Sequence, residues 1–382
     1  MKKQIYIDNA STTEVDKRVV KAMLPYFSEK YGNASSFHEF GQEARKALEN
    51  ARKIIAKSIN ARSDEIIFTS GGTESNNLAL KGLAFAYPDK KHIIISKIEH
   101  DCILNSCKWL EKQGWKVDYL NVNSEGFVNL NELDKLINKN TLVVSIIHGN
   151  NEIGTIQDLD KIGEICRSKG VYFHTDACQS YTKTIINVEK QKLDLVTLNS
   201  HKIHGPKGVG ALYIRKGIRI EPIAHGGGQE SGKRSGTENI AGIVGFAKAV
   251  EIIDKKDLIK IEKLRDKLIL GLEKIPGTKL NGPKGNKRLC NNINFVFKGV
   301  EGEAIIGYLD NKGICASTGS ACSSNSLEPS HVLIAIGLNP EQAHGSLRLS
   351  LGKFNNEKEV DIVIRETEKI IKRLREISPF GE

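Results

Sequence analysis

Short apolar runs alternate with amphipathic stretches from about residue 64 onward. Stretches with helical spacing, such as 74–86 and 158–170, lie between several of the apolar runs. Uninterrupted apolar strands separated by helices are typical of a mostly parallel sheet buried on both faces. The pattern predicts an α/β fold with ligands at the carboxyl ends of the strands. The predicted strands are 65–70, 92–97, 116–122, 141–148, 171–177, 193–200 and 210–216.

The pattern changes after about residue 255 and predicts a second, smaller α+β domain. A charged amphipathic segment at 256–275 predicts a helix, and a Gly, Pro and Asn turn region follows it. Then come a strand at 291–297, a helix, a loop of small polar residues at 316–329, a strand at 346–351 and a terminal helix. We expect a large domain at 13–255 and a small domain built from 1–12 with 256–382.

The composition fits a globular protein, since 39% of the residues are hydrophobic and 27% are charged. The first residues, MKKQIYIDNASTT, contain no apolar core of a signal peptide, and no apolar stretch is long enough to span a bilayer. Seven cysteines without a C-x-x-C pair favour reduced thiols over a disulfide framework or a structural zinc site. We therefore expect a cytoplasmic protein without a membrane segment.

The net charge of +10 raises the question of nucleic acid. Lysines and arginines alternate with acidic residues in segments such as 251–268, which favours a solvated surface and leaves an acidic protein partner open. The segment 227–234 resembles a P-loop, but Arg234 stands where Ser or Thr would bind magnesium, and no helical pattern follows directly. We expect no direct nucleic-acid binding; Arg234 and Thr237 could still reach a phosphate.

Two polar residues follow neighbouring predicted strands. Lys202 lies just after the run 193–200 and before a Gly-rich turn, where a partly desolvated lysine can act as an amine nucleophile. Asp176 ends the run before it, where a carboxylate could keep the ring of pyridoxal phosphate protonated. Lys202 could also be a solvated loop lysine, and Asp176 could cap the next helix.

Two small-residue segments complete the candidate chemistry. Gly71, Gly72 and Thr73 lie between a strand and a helix, an arrangement that suits a phosphate and equally an ordinary helix start. Cys322 lies among small polar residues and could reach a nearby cleft, or could be incidental. Cys315 ends an apolar run and is predicted to be a buried thiol.

Together these segments resemble the NifS/IscS-type cysteine desulfurases, pyridoxal 5'-phosphate enzymes of fold type I in the aminotransferase class V group. The resemblance extends from YIDNASTTEVD at 6–16 to SLRLSLGKF at 346–354. It includes FTSGGTESNN, HTDACQS, SHKIHGPKGVGALY and STGSACSS, in the same order. It implies a homodimer that converts L-cysteine to L-alanine and passes the sulfur through a cysteine persulfide to an acceptor protein. The acceptor could be an iron–sulfur scaffold, a tRNA-thiolation enzyme or a thiamine-pathway carrier.

The resemblance also implies roles for individual residues. Lys202 would hold the cofactor as a Schiff base and act as the base, Cys322 would form the persulfide, and Arg348 would clamp the substrate carboxylate. The other implied cofactor contacts are Asp176 with the pyridine nitrogen, Gln179 with the ring hydroxyl, His100 stacked on the ring and moving protons, Asn151 with cofactor and substrate, Gly72, Thr73 and His201 with the phosphate, and Thr237 with the phosphate of a second subunit. We expect no resident metal; a transient contact of Cys322 with an iron–sulfur cluster stays open.

Three positions depart from the family pattern. Asn199 replaces a common phosphate-binding serine, so that contact is lost or is made by the amide. Gly72 and Ser11 each replace a commoner alanine. The alternatives are a selenocysteine lyase or another class V enzyme, and a non-catalytic sulfur or assembly scaffold. An aminotransferase needs no thiol, and a scaffold needs neither Lys202 nor Cys322.

Overall fold

The computed structural model describes residues 4–318 and 328–377. All seven strands predicted between residues 65 and 216 are present, each within a few residues of its expected bounds. The strands are β1 (Ile5–Tyr6), β2 (Ile66–Thr69), β3 (His92–Ser96), β4 (Lys116–Leu120), β5 (Thr141–Ser145), β6 (Tyr172–Asp176), β7 (Leu195–Asn199), β8 (Gly210–Ile214), β9 (Thr278–Leu280), β10 (Asn292–Phe297), β11 (Ile314–Cys315) and β12 (Ser346–Ser350).

Helices follow most strands, and a π-helical turn at Leu78–Gly82 joins two of them into one continuous stretch. The helices are α1 (Lys17–Met23), α2 (Pro25–Ser28), α3 (Glu39–Ser58), α4 (Gly72–Asn77), α5 (Leu83–Ala86), α6 (Asp101–Lys112), α7 (Leu130–Leu136), α8 (Leu159–Ser168), α9 (Ile240–Glu251), α10 (Lys255–Leu272), α11 (Gly302–Asn311), α12 (His331–Ala335), α13 (Pro340–His344) and α14 (Glu357–Ile377). In the described part of the chain, no helix has the length and apolar character needed to cross a membrane.

The central sheet has the strand order β2-β8-β7-β6-β5-β3-β4. The five strands from β7 to β4 run parallel, whereas β8 is antiparallel to both β7 and β2. Every residue of β2, β3, β5, β7 and β8 is buried because helices cover both faces. On β3, Ile94 packs with the core that includes α3, α8 and α9, while Ile93 and Ile95 pack with the core that includes α6. The predicted mostly parallel α/β sheet is therefore confirmed.

A separate antiparallel sheet of order β12-β10-β9 lies in the C-terminal part of the chain. Its core includes Leu268 of α10, Leu309 of α11 and Ile371 of α14, together with Ile7 from the N-terminal segment. The N-terminal strand β1 pairs in parallel with β11, and Asp8 forms a bridge with Ser350. This is the predicted α+β architecture; the exact domain bounds stay a prediction.

Candidate active site

Asp176 is the last residue of β6 and lies at the carboxyl edge of the central sheet. Its carboxylate is buried and accepts hydrogen bonds from Asn76 Nδ2 at 2.7 Å and from the backbone N–H of Cys178 at 2.8 Å. Burial raises the pKa of Asp176, but its polar neighbours, including the hydrogen-bond donors Cys178 and Asn76, outweigh burial and hold the pKa below its usual value. The carboxylate is therefore ionised, as a partner of a protonated ring nitrogen must be.

The charges of Asp176 and Lys202 both act on the imidazole of His100. His100 comes immediately before α6, and Lys202 comes three residues after the end of β7. Burial lowers the pKa of His100; the charge of Lys202 lowers it further, and that of Asp176 opposes the shift. Since both charges act on the same imidazole, the structure brings together the three residues that sequence analysis assigned to the ring and its base.

Gly72, Cys178 and Asn199 form a close-packed corner next to the start of α4. A β-carbon at residue 72 would lie 2.6 Å from the sulfur of Cys178 and 3.8 Å from the side-chain nitrogen of Asn199. A methyl group at residue 72 would therefore force the Cys178 side chain or the start of α4 to move, so glycine is favoured over the commoner alanine here. The buried Oδ1 of Asn199 has no hydrogen-bond partner among the described residues.

The N-terminal segment 8–13 runs past several predicted cofactor residues. Gln179 donates through Nε2 to the carbonyl of Ala10 at 2.8 Å, and Thr13 Oγ1 donates to the carbonyl of His201 at 2.7 Å. His201 Nδ1 lies 3.2 Å from Thr12 Oγ1. Burial, followed by the charge of Lys202, lowers the pKa of His201 to about 4, so its imidazole is neutral at neutral pH.

Arg348 of β12 reaches the same segment from the smaller sheet. Its guanidinium donates to Ser11 Oγ at 2.8 Å, to Asp8 Oδ1 at 3.1 Å and to the carbonyl of Asn151 at 3.4 Å. Its Nε is buried and has no hydrogen-bond partner among the described residues. A guanidinium with an unused donor can bind a carboxylate. Ser11, which the sequence suggested was only a mild departure, contacts the predicted substrate-binding residue.

The structure leaves three other sequence predictions open. Thr73 and Thr237 are both exposed, and Asn151 is half-buried. The reach of Thr237 to a second subunit stays a prediction. Cys322, in the predicted loop 316–329, lies outside the described residues.

The sequence pattern gave no signal for several polar contacts in this region, among them those of Lys183. Its ammonium donates to the carbonyls of Gln179 at 2.8 Å and Lys202 at 3.3 Å. Burial lowers the pKa of Lys183 to about 8. The preceding Thr182 has a left-handed backbone with φ of 64°, which is unfavourable for a β-branched residue. Such local strain is a signal for function that appears only in three dimensions.

The Gly-rich segment that resembled a P-loop has a different role. Glu230 is buried, pairs with Arg52 at 2.7 Å and accepts the backbone N–H of Phe68 at 2.8 Å. Arg234 pairs with Glu74 in the first turn of α4 at 2.9 Å. No long helix follows, because α9 begins only at Ile240. The segment is thus held by ion pairs to α3 and α4 and by a hydrogen bond to β2.

The residues present fit pyridoxal phosphate. An ionised, buried Asp176 suits its ring nitrogen, and Lys202, whose charge acts on the same His100 as that of Asp176, provides an amine. The side-chain nitrogen of Asn199 lies near Gly72 at the start of α4, and both an amide N–H and the N–H groups of a helix N-terminus can donate to a phosphate. Among residues 4–318 and 328–377, no group of three His, Cys, Asp or Glu side chains could hold a metal ion.

Comparison with known proteins shows the family to which the chain is similar. The family model described as aminotransferase class-V matches residues 5–363. Over 387 residues the chain is 52% identical to the protein named cysteine desulfurase IscS from Dictyoglomus turgidum, covering 100% of this chain and 98% of the relative. A solved NifS-like protein superposes with a TM-score of 0.91 at 40% identity, covering 97% of this chain and 100% of that chain. SspA in complex with cysteine superposes with a TM-score of 0.84 at 37% identity, covering 92% and 100%.

Proposed function

Because the chain belongs to the aminotransferase class-V family and has the fold type I structure of its pyridoxal-phosphate-dependent cysteine desulfurases, we propose that it converts L-cysteine to L-alanine and transfers the sulfur to Cys322. The observation that carries the proposal is the buried, ionised Asp176, whose charge acts on His100 together with that of Lys202. An ionised carboxylate beneath the ring is the electronic requirement of this chemistry.

Each of several described residues is proposed to bind a different part of the cofactor. When bound, pyridoxal phosphate takes up the electron pair that remains on the substrate when its Cα proton leaves. The proposed holders are Lys202 for the aldehyde carbon, Asp176 for the ring nitrogen, Gln179 for the ring hydroxyl, His100 for the ring face, Asn151 at the cofactor edge, Gly72, Thr73, Asn199 and His201 for the phosphate, and Thr237 for the phosphate of a second subunit.

Arg348 is the proposed substrate-binding residue. Its unpaired Nε can donate to the carboxylate of cysteine, while its other donors stay on Asp8 and Ser11. Because the guanidinium already contacts two side chains, it is held in place before the substrate arrives. This preorganisation lowers the entropic cost of binding.

The proposed steps use Lys202, His100 and Cys322. The free amine of Lys202 removes the Cα proton, and Arg348 keeps that proton aimed at the amine. The thiolate of Cys322 then attacks the substrate sulfur. The new S–S bond forms as the Cβ–S bond breaks, and its electron pair stays on the carbon product, which takes up protons and leaves as alanine. His100 is proposed to relay protons in that uptake.

A homodimer is supported by an exposed apolar patch at 24–37. The side chains of this N-terminal patch are 58% exposed at Leu24, 65% at Phe27, 66% at Tyr31 and 93% at Phe37. Clustered exposed aromatic residues usually mark a protein interface. We propose that a second copy of the chain covers them.

The proposed location is the cytoplasm, and the proposed acceptor is an iron–sulfur scaffold or a tRNA-thiolation enzyme. The described cysteines are all free thiols, which suits a reducing compartment. Incubating the persulfidated enzyme with each candidate acceptor and following labelled sulfur identifies the partner. An acceptor that takes label from wild type but not from Cys322→Ala is the physiological class.

The central test measures alanine released from cysteine. Cys322→Ala should lose sulfur transfer to acceptors, and Lys202→Ala should release no alanine. After borohydride reduction, the mass of the cofactor should remain on the Lys202 peptide of wild type. Cys315→Ala, which removes another thiol in β11, is the matched control and should retain activity. Turnover by Lys202→Ala would overturn the whole proposal, and full transfer by Cys322→Ala would overturn the role of that thiol.

A further inference from the structure

His100 serves as the N-terminal cap of α6 through its own ring. The backbone N–H of Cys102 donates to His100 Nδ1 at 3.2 Å, and the Cys102 sulfur lies 3.1 Å from the same nitrogen. A backbone N–H has no lone pair and can only donate, so Nδ1 must be the unprotonated nitrogen of the ring. A neutral imidazole of this kind carries its proton on Nε2.

We propose that the first turn of α6, through the backbone amide and the thiol of Cys102, holds His100 as a neutral imidazole protonated on Nε2. His100 therefore presents a hydrogen-bond donor, and not an acceptor, to a ligand in the cleft. Cys102 acts through His100 and is a positioning residue. The effect of this imidazole state on turnover rests on the proposed function. The imidazole state itself does not.

The hydrogen bonds around Cys102 orient its S–H bond toward His100. Asn76 Nδ2 donates to the Cys102 sulfur at 3.1 Å and to Asp176 Oδ2 at 2.7 Å. Burial and then the charge of Asp176 raise the pKa of Cys102 to about 12, so the thiol keeps its proton. Since the sulfur accepts from Asn76, its S–H is free to donate to His100 Nδ1. A line of hydrogen bonds through Asn76 and Cys102 thus joins the carboxylate of Asp176 to the imidazole of His100.

The surrounding groups favour the neutral form. Burial is the largest influence and lowers the pKa of His100, and the charges of Lys202 and His331 lower it further. Asp176 and Asp101 act in the opposite direction and are outweighed. The positive end of the twelve-residue helix α6 also disfavours an imidazolium at its cap. Protonation of Nδ1 would in addition break the cap, because the backbone N–H of Cys102 would lose its acceptor.

The direct test is long-range ¹⁵N–¹H NMR of ¹⁵N-histidine-labelled protein at pH 7.5, which distinguishes protonated from unprotonated ring nitrogens. His100→Gln assigns the signals. We expect a protonated Nε2 and a bare, hydrogen-bonded Nδ1, both in the cofactor-free protein and in the holoenzyme. A protonated Nδ1, or an imidazolium, would overturn the inference. An inactive enzyme with the expected ring state would instead overturn the proposed function.

Two variants test the contribution of the thiol. Cys102→Ala removes one of the two donors to Nδ1, so the titration midpoint of His100 should rise by about half a pH unit to one unit, equivalent to one hydrogen bond. Cys102→Ser restores a donor and should return the midpoint. Cys107→Ala, which removes a buried thiol from the same helix, is the control and should leave it unchanged. The same midpoint in wild type, Cys102→Ala and Cys102→Ser would exclude a role for the thiol.

Discussion

At the scale of single residues, Gly72 and the side chain of Cys178 pack directly against each other. The sulfur of Cys178 occupies the volume that a methyl group on residue 72 would need, at a distance of 2.6 Å. Real β-carbons do not approach a sulfur that closely, so one of the two groups would have to move. A sequence pattern records only that residue 72 is unusual, whereas the structure identifies Cys178 as the neighbour responsible.

This pair predicts a non-additive double mutant. Gly72→Ala should destabilise the cofactor-free protein by about 1–3 kcal/mol and weaken binding of pyridoxal phosphate, because overpacking displaces the start of α4. Cys178→Ala should remove most of that cost in the double variant. Thermal unfolding and cofactor titration measure both effects.

Gly307 provides the matched control for this cycle. It lies in α11, and a β-carbon there would meet open space. Gly307→Ala should therefore be neutral or slightly stabilising. Additive effects of Gly72→Ala and Cys178→Ala would show that the two side chains do not compete for the same volume.

At the scale of elements, β5, β6 and β7 are joined beneath the site by one imidazole. His174 of β6 lies with Nδ1 2.8 Å from Ser145 Oγ and with Nε2 3.1 Å from Thr197 Oγ1. It is fully buried, and burial lowers its pKa to about 4. The three strands that carry Asp176 and lead to Lys202 therefore depend on a neutral histidine.

This histidine predicts a loss of stability in acid. The unfolded chain binds a proton at His174 below about pH 6.5, while the folded chain does so only near pH 4. The free energy of unfolding should therefore fall as the pH decreases from 6.5 to 4, by about 3 kcal/mol from this residue. Urea unfolding across this range, compared between wild type and His174→Gln, measures the difference.

The replacement His174→Gln removes the titrating group and should flatten the pH dependence by that amount. His225→Gln, at an exposed histidine, should leave it unchanged. Parallel curves for wild type and His174→Gln would contradict the assignment.

Most strands and helices could be predicted because a buried strand appears in the sequence as an uninterrupted apolar run. Lys202, Asp176 and Gly72 could be placed because they follow such runs directly. The sheet order could not be deduced from the pattern, since β8 returns antiparallel between β7 and β2. The contact of Asn76 with Asp176 could not be predicted either, because the two residues are 100 positions apart and the periodicity of a local pattern gives no information over that distance.

At the scale of the whole molecule, two cores meet at the N-terminal segment. Ser11 and Asp8 contact Arg348 from the smaller sheet, while Ala10 and Thr13 contact residues that follow β6 and β7. This short segment therefore helps to place Arg348 relative to Lys202, together with the carbonyl of Asn151, to which Arg348 also donates. The proposed division at 13–255, and at 1–12 with 256–382, puts this segment at the boundary.

The N-terminal patch predicts the oligomeric state. Wild type should be a dimer in analytical ultracentrifugation, and Phe27→Asp should dissociate it, because a buried charge at an interface is costly. Phe37→Asp should act in the same direction. Leu270→Asp, at an equally exposed apolar residue of α10, is the control and should remain dimeric. A monomeric wild type, or an unchanged Phe27→Asp dimer, would contradict the proposal.

The pairing of β1 with β11 also has a consequence in time. Ile5 pairs with Ile314, and Asp8 forms its bridge with Ser350, so each partner is synthesised more than 300 residues later. At about 5–20 residues per second, translation takes roughly 15–60 s to supply these partners. Until then the ribosome-bound chain cannot bring Arg348 to Asp8 and Ser11. A growing or truncated chain therefore has no complete substrate site, and release of sulfur from cysteine begins only once the chain is nearly finished.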